Sequence, residues 1–159
     1  MGTTVGARGF DVGENLDYSS GVQAVCDFYG PTDFLQMDRH RLPDGQVHNA
    51  PDSPESKLIG GPIQDNPDKV SRVNPITYVD KNAPPFLIVH GTLDRLVPFN
   101  QSELLVAALK AAGASVKFYP VQGGGHGQYF GADGGHGLYA DPEVGPMVKT
   151  FFAAHLMAK

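Results

Sequence analysis

A chain of 159 residues can bury one domain's core, and a net charge of −5 offers no basic surface for nucleic acid or an acidic membrane. The single cysteine, Cys26, excludes an internal disulfide framework and a Cys-x-x-Cys zinc site, and reads as a small buried residue. No apolar run nears the ~20 residues of a membrane helix, and the N-terminus lacks a signal peptide's basic and apolar regions, so the compartment stays open.

Residues 1 to 20 are polar, glycine-spaced and without period, which predicts a loop. Val22 to Phe28 is the first strand, closed by the turn signal Tyr29-Gly30-Pro31. Thr32 or Asp33 is then placed to cap a short helical piece holding Phe34, Leu35 and Met37. Residues 39 to 84 are irregular. Ser53-Pro54-Glu55 predicts a helix start, with a serine cap, proline at the first position and an acid in the first turn. A second short helix is expected over Pro67 to Val73, stopped by Asn74-Pro75. A connection of this length reads as a cap or wall over a pocket rather than a linker.

Phe86 to Val89 is a continuous apolar run, as in a strand covered on both faces, and it ends at His90-Gly91. Asn100 to Gly113 is the clearest helix: Asn100 can cap, Glu103 stands in capping-box register, and Leu104, Leu105, Ala108, Leu109 and Ala112 make one apolar stripe. Ser115 to Val121 is the third strand. The glycine-dense stretch 122 to 141 must be loop, and a last helix runs from Pro142 or Pro146 to about Met157. Strands alternating with helices predict parallel pairing. The expected architecture is a single α/β domain over residues 1 to 159, about three mostly parallel strands with flanking helices and a cap-like insertion at 39 to 84.

Residues just past the carboxyl ends of parallel strands share one edge of the sheet. Asp94 follows the second strand, and His126, in Gly125-His126-Gly127, follows the third. Neighbouring strands lie about 4.8 Å apart, so these loops can bring a carboxylate to an imidazole. Such a pair fixes the histidine's tautomer and stabilises its protonated form, as a general base requires. His136, in a second Gly-His-Gly, is the rival base. His90 is expected to hold the loop, Asp27 and Asp33 to serve turns and caps, and His40, His48 and His155 to lie on the surface.

Pro84 to Gly91 with Asp94, Val97-Pro98 and Gly125-His126-Gly127 resembles the C-terminal half of an α/β-hydrolase. More narrowly it is similar to bacterial esterases of the feruloyl-esterase and acetyl-esterase-like group. Val22 to Val25, Gly30 to Phe34, Ser53 to Gly61 and Ser71 to Val79 resemble blocks of that group in the same order. The resemblance implies a carboxylic-ester hydrolase of Ser-Asp-His type, with Asp94 as acid, His126 as base, a small-molecule carboxylic ester as substrate, and no metal or organic cofactor.

The Gly-x-Ser-x-Gly turn that would carry the nucleophile does not occur in the sequence. Ser19, Ser20 and Ser56 are the serines within the chain put forward to replace it. The chain reads as beginning shortly after the serine it would serve, so activity from this chain alone is expected to be weak or nil. Two alternatives follow: a non-catalytic remnant, or a half-enzyme completed by a separate N-terminal chain. Without the elbow strand beside it, Val22 to Phe28 becomes an apolar edge, and a homodimer or higher oligomer through that edge is expected.

Overall fold

The structure is a computed structural model and describes residues 2–4, 7–10, 12–127 and 137–156. Three strands form one parallel sheet in chain order: β1 (Val25–Phe28), β2 (Phe86–Gly91) and β3 (Val116–Val121). The register sets Val25 opposite Phe86 and Phe86 opposite Val116. β1 is three residues shorter than the apolar run suggested: pairing begins at Val25, whose N–H donates to Pro85 O just before β2. β2 runs through His90 and Gly91 rather than stopping before them.

The alternation of β2 explains its unbroken hydrophobicity. Phe86 and Ile88 face α4 (Asn100–Ala111), against Leu105, Val106 and Leu109. Leu87 and Val89 face the other way, against Val121 of β3 and Val144 of α5 (Val144–Leu156). Every residue of β2 is buried, as expected of a central parallel strand covered by helices on both faces. The burial of such aliphatic side chains is worth roughly 1.5–3 kcal/mol each.

The 39 to 84 stretch carries α2 (Pro54–Ile59) and α3 (Pro67–Val73), after the four-residue α1 (Met37–His40). Ser53 caps α2 as its sequence requires: its Oγ accepts from Ser56 N, and Gly60 closes the helix in the left-handed region at φ 73°. Asp33 caps the turn at Phe34–Gln36 by accepting from Leu35 N. Asn100 departs from its expected role, since Phe99 occupies the cap position without a side-chain cap bond.

The stretch has its own small core, where Ile63 and Val70 meet Phe34, Met37 and Val97. Val97 belongs to the loop after β2, so this core is built onto that loop. Gln46 N donates to Arg95 O at 2.7 Å, and Arg95 pairs with Asp44 at 2.9 Å, fastening a turn of the stretch beside Asp94. No helix among the described residues is long and apolar enough to cross a membrane.

Candidate active site

The loops after β2 and β3 are zipped together at the sheet's carboxyl edge. Thr92 N donates to Val121 O at 3.0 Å, Leu93 N to Gly124 O at 2.9 Å, and Gly123 N to Thr92 Oγ1 at 3.0 Å. Gly91 permits this approach, because a Cβ there would lie 2.2 Å from Gly124 O and 2.6 Å from Gly125 O, both backbone atoms. Gly123, at φ 70°, turns the second loop back on itself.

The zipper delivers Asp94 to His126. Asp94 Oδ2 accepts from His126 Nδ1 at 2.8 Å, and Oδ1 accepts from Leu96 N at 2.7 Å and Val97 N at 2.9 Å. Burial pushes the Asp94 carboxyl up, but donors from His126, His90 and Val97 outweigh it and hold the group at about 2. The carboxylate is therefore ionised at neutral pH. Facing that ionised carboxylate, His126 Nδ1 is the donating nitrogen of the contact, on a side chain that is 22% exposed.

A second histidine supports the same carboxylate. His90 Nε2 donates to Val97 O at 3.0 Å and stands 3.3 Å from Asp94 Oδ2. Its Nδ1 then accepts from the Ser102 hydroxyl at 2.7 Å. His90 is fully buried and holds the loop, as its position suggested. Ser102 was not visible as a participant in the sequence, nor was Gln101. Buried Gln101 Oε1 accepts from Thr32 N at 2.8 Å and Asp33 N at 2.7 Å, tying the turn after β1 to the start of α4.

His40 and His155 are exposed as expected, whereas His48 is not a surface residue. It is buried beside Glu55, with Nδ1 3.1 Å from Oε1, while its backbone N–H is held by Asp38 at 2.7 Å. The reason is local: α2 begins at Pro54, which aims Glu55 of the first turn back at residue 48. Asp27 fills its turn role by accepting from Gly30 N at 3.1 Å. The Cys26 thiol is half-buried rather than fully buried, since among the described residues β1 has one strand neighbour. Burial and then the Asp27 charge push it up to about 11, so it is not a reactive thiolate.

The proposed substitute nucleophiles are engaged elsewhere. Ser56 is buried and donates to Ala50 O at 2.9 Å, and Ser19 Oγ accepts from Gly21 N at 3.1 Å. Ser20 is exposed. His136 lies outside the described residues. Among the described residues no cluster of three or more histidine, cysteine or acidic side chains could hold a metal ion.

Residues 1–109 match the BD-FAE family model, a span that includes Asp94 and ends before His126. Esterase LipQ of Mycobacterium tuberculosis is 42% identical over 99 residues, covering 62% of this chain and 22% of that protein. A truncated form of a carbohydrate esterase from gut microbiota is 39% identical with a TM-score of 0.63, over 72% of this chain and 39% of that one. A bifunctional GH43-CE protein of Bacteroides eggerthii is 33% identical with a TM-score of 0.77, over 97% of this chain and 20% of that one. The chain thus spans about a fifth of the LipQ relative's length. By the family match over most of its length, and by a parallel sheet shared with esterases of the α/β-hydrolase fold, the chain belongs to the BD-FAE family and is related to the carboxylic ester hydrolases.

Proposed function

We propose that Asp94 and His126 serve as the acid and base of serine-dependent carboxylic-ester hydrolysis. The observation that carries this is the 2.8 Å contact from His126 Nδ1 to a carboxylate whose other oxygen is already saturated by backbone donors. In this reading His126 Nε2 removes the proton from a serine hydroxyl as it attacks the ester carbonyl. Asp94 stabilises the resulting imidazolium, which then protonates the departing alkoxide. Water repeats the sequence to release the acid. The serine is presented from a Gly-x-Ser-x-Gly turn outside this sequence, on a strand that pairs with β1.

Among the described residues β1 has one strand neighbour, β2, so its other edge is open to such pairing. A cavity of about 270 Å³ lies beside β1, with Thr3, Val25, Cys26, Phe86 and Leu105 among its walls. Residues 39 to 84 act as the cap over the strand ends, and the fastening of Gln46 and Asp44 to the Arg95 segment supports this. The similarity to a carbohydrate esterase supports an ester on a carbohydrate alcohol as substrate, with an acetyl or aromatic acyl group.

The deciding experiment combines this chain with an α/β-hydrolase N-terminal half that carries a Gly-x-Ser-x-Gly turn. Hydrolysis of p-nitrophenyl acetate is expected from the complex and not from the chain alone. Asp94→Asn or His126→Ala should then lower kcat by about 10³ to 10⁴-fold. Turnover that ignores His126→Ala would remove the reading. A second reading takes the same open edge: another copy of this chain pairs along β1, giving a homodimer that turns nothing over. Light scattering separates the two, since a monomer at micromolar concentration contradicts the dimer.

A further inference from the structure

The residue after β1 has an unusual backbone. Tyr29 lies in the left-handed region at φ 48°, which a tyrosine adopts only where its surroundings hold it there. The other described non-glycine residue of this kind is Asn15, of a type that tolerates the conformation. The turn takes Tyr29 out of the strand's alternation while its N–H still reaches Val89 O at 3.0 Å. Its ring comes to rest against the imidazole of His126, with centroids 3.9 Å apart and planes at 43°. Its hydroxyl meets that of Tyr139, and Tyr139 N donates to Gly127 O at 3.3 Å, on the residue next to His126. A Cβ at Gly127 would stand 3.3 Å from the Tyr29 hydroxyl, so the ring fits closely over the turn that carries the base. Burial, Tyr139 and the Asp94 charge push the phenol up to about 12, so it meets the imidazole as a neutral group.

From this geometry we infer that Tyr29 is a positioning residue for His126. The hydrogen bond from Nδ1 to Asp94 restrains the imidazole at one edge, against rotation about Cβ–Cγ. The Tyr29 ring supplies a second restraint, so that Nε2 keeps one direction and Nδ1 stays on the carboxylate. Proton transfer to Nε2 depends on that direction. The inference rests on the reading of Asp94 and His126 as acid and base, but it concerns a property of this chain that is measurable without turnover.

The test is the tautomer of His126 in the ¹⁵N-labelled 159-residue chain, followed by two-bond ¹H–¹⁵N correlation and assigned by its absence in His126→Gln. The native chain should show the Nδ1–H form. Tyr29→Gly and Tyr29→Asn both suit a left-handed backbone, so removing the ring need not unfold the turn, and circular dichroism verifies this. Each should lower the ratio of the Nδ1–H to the Nε2–H form about fivefold, the scale of one lost ring contact. Tyr29→Phe keeps the ring and should restore the native ratio, which a loss of general stability would not do. An unchanged ratio in both ringless variants, with Asp94→Asn still shifting it, overturns the inference alone. An unchanged ratio in Asp94→Asn overturns the acid–base reading itself, and the role of Tyr29 with it.

Discussion

Among the described residues Asp94 pairs with His126 and Glu55 with His48, and the two pairs are built differently. In the loops at the sheet edge, each Asp94 oxygen has a donor: Leu96 N and Val97 N on Oδ1, His126 on Oδ2, with His90 3.3 Å from that same oxygen. His126 remains partly open to solvent. In the 39 to 84 stretch, His48 and Glu55 are closed off at 1% and 9% side-chain exposure. His48 Nδ1 and Glu55 Oε1 stand 3.1 Å apart, and neither His48 Nε2 nor Glu55 Oε2 has a hydrogen-bond partner. A histidine beside a carboxylate is therefore not in itself a site. What distinguishes the first pair is a saturated carboxylate and a partly exposed imidazole. The second pair stitches residue 48 to α2, and its unpartnered atoms cost stability.

The largest expected effect breaks the first pair. Asp94→Ala strips the acceptor from two backbone N–H groups and two histidines, and should cost about 4 kcal/mol in urea unfolding. Asp94→Asn keeps an amide oxygen for Leu96 and Val97 and should cost about half of that. The pH dependence has a definite sign. The Asp94 carboxyl is held at about 2, below its ordinary 3.8, so the unfolded chain binds the proton more tightly. Its contribution, about 2 kcal/mol, is complete above the ordinary value and is lost as pH falls through about 2. Asp94→Asn should flatten acid unfolding across that window.

Gly91→Ala attacks the zipper rather than the pair. Its Cβ would meet backbone atoms that cannot move without parting the loops, so a loss of about 3 kcal/mol is expected, together with loss of the native His126 tautomer. The second pair should respond otherwise. His48→Leu leaves the Glu55 charge buried without a partner and should cost about 2 kcal/mol. The double variant His48→Leu/Glu55→Met should recover most of it, as buried pairs replaced by apolar groups commonly do. A double variant as unstable as the single one would mean that the two pairs are not different in kind.

Most of the frame was readable because it rests on short-range rules. Ser53-Pro54 and Gly60 bracket α2, Pro67 and Asn74 bracket α3, and the unbroken run at Phe86 marks the buried central strand. Asp94 and His126 could be placed together because parallel strands bring successive loops to one edge. The features that escaped depend on contacts between elements. Gln101 and Ser102 occupy the first turn of α4, where periodicity marks apolar residues but says nothing of the loop groups that need a polar partner. His48 is buried beside a helix that starts six residues later, at Pro54. Tyr29 precedes Gly30, and the local pattern assigns the turn to the glycine, although the left-handed residue is the tyrosine.

The smallest effect concerns a third carboxylate, Asp27, which sharpens the contrast because no imidazole among the described residues is within bonding reach of it. It stands in β1 and accepts one N–H, from Gly30. Burial pushes its carboxyl above the ordinary range, and neither the Gly30 bond nor the distant His90 charge offsets it. For an acid raised in this way the folded state holds the proton more tightly, so stability falls as pH rises through the folded value. Asp27→Asn removes the charge and keeps an oxygen for Gly30 N. It should raise the melting temperature at pH 8 and leave it unchanged at pH 4, a gain within about 1 kcal/mol, the net scale of one hydrogen bond. Destabilisation at both pH values would mean that the fold makes use of the Asp27 charge. Saturation by donors would then no longer be what sets Asp94 apart from the other buried acids of this chain.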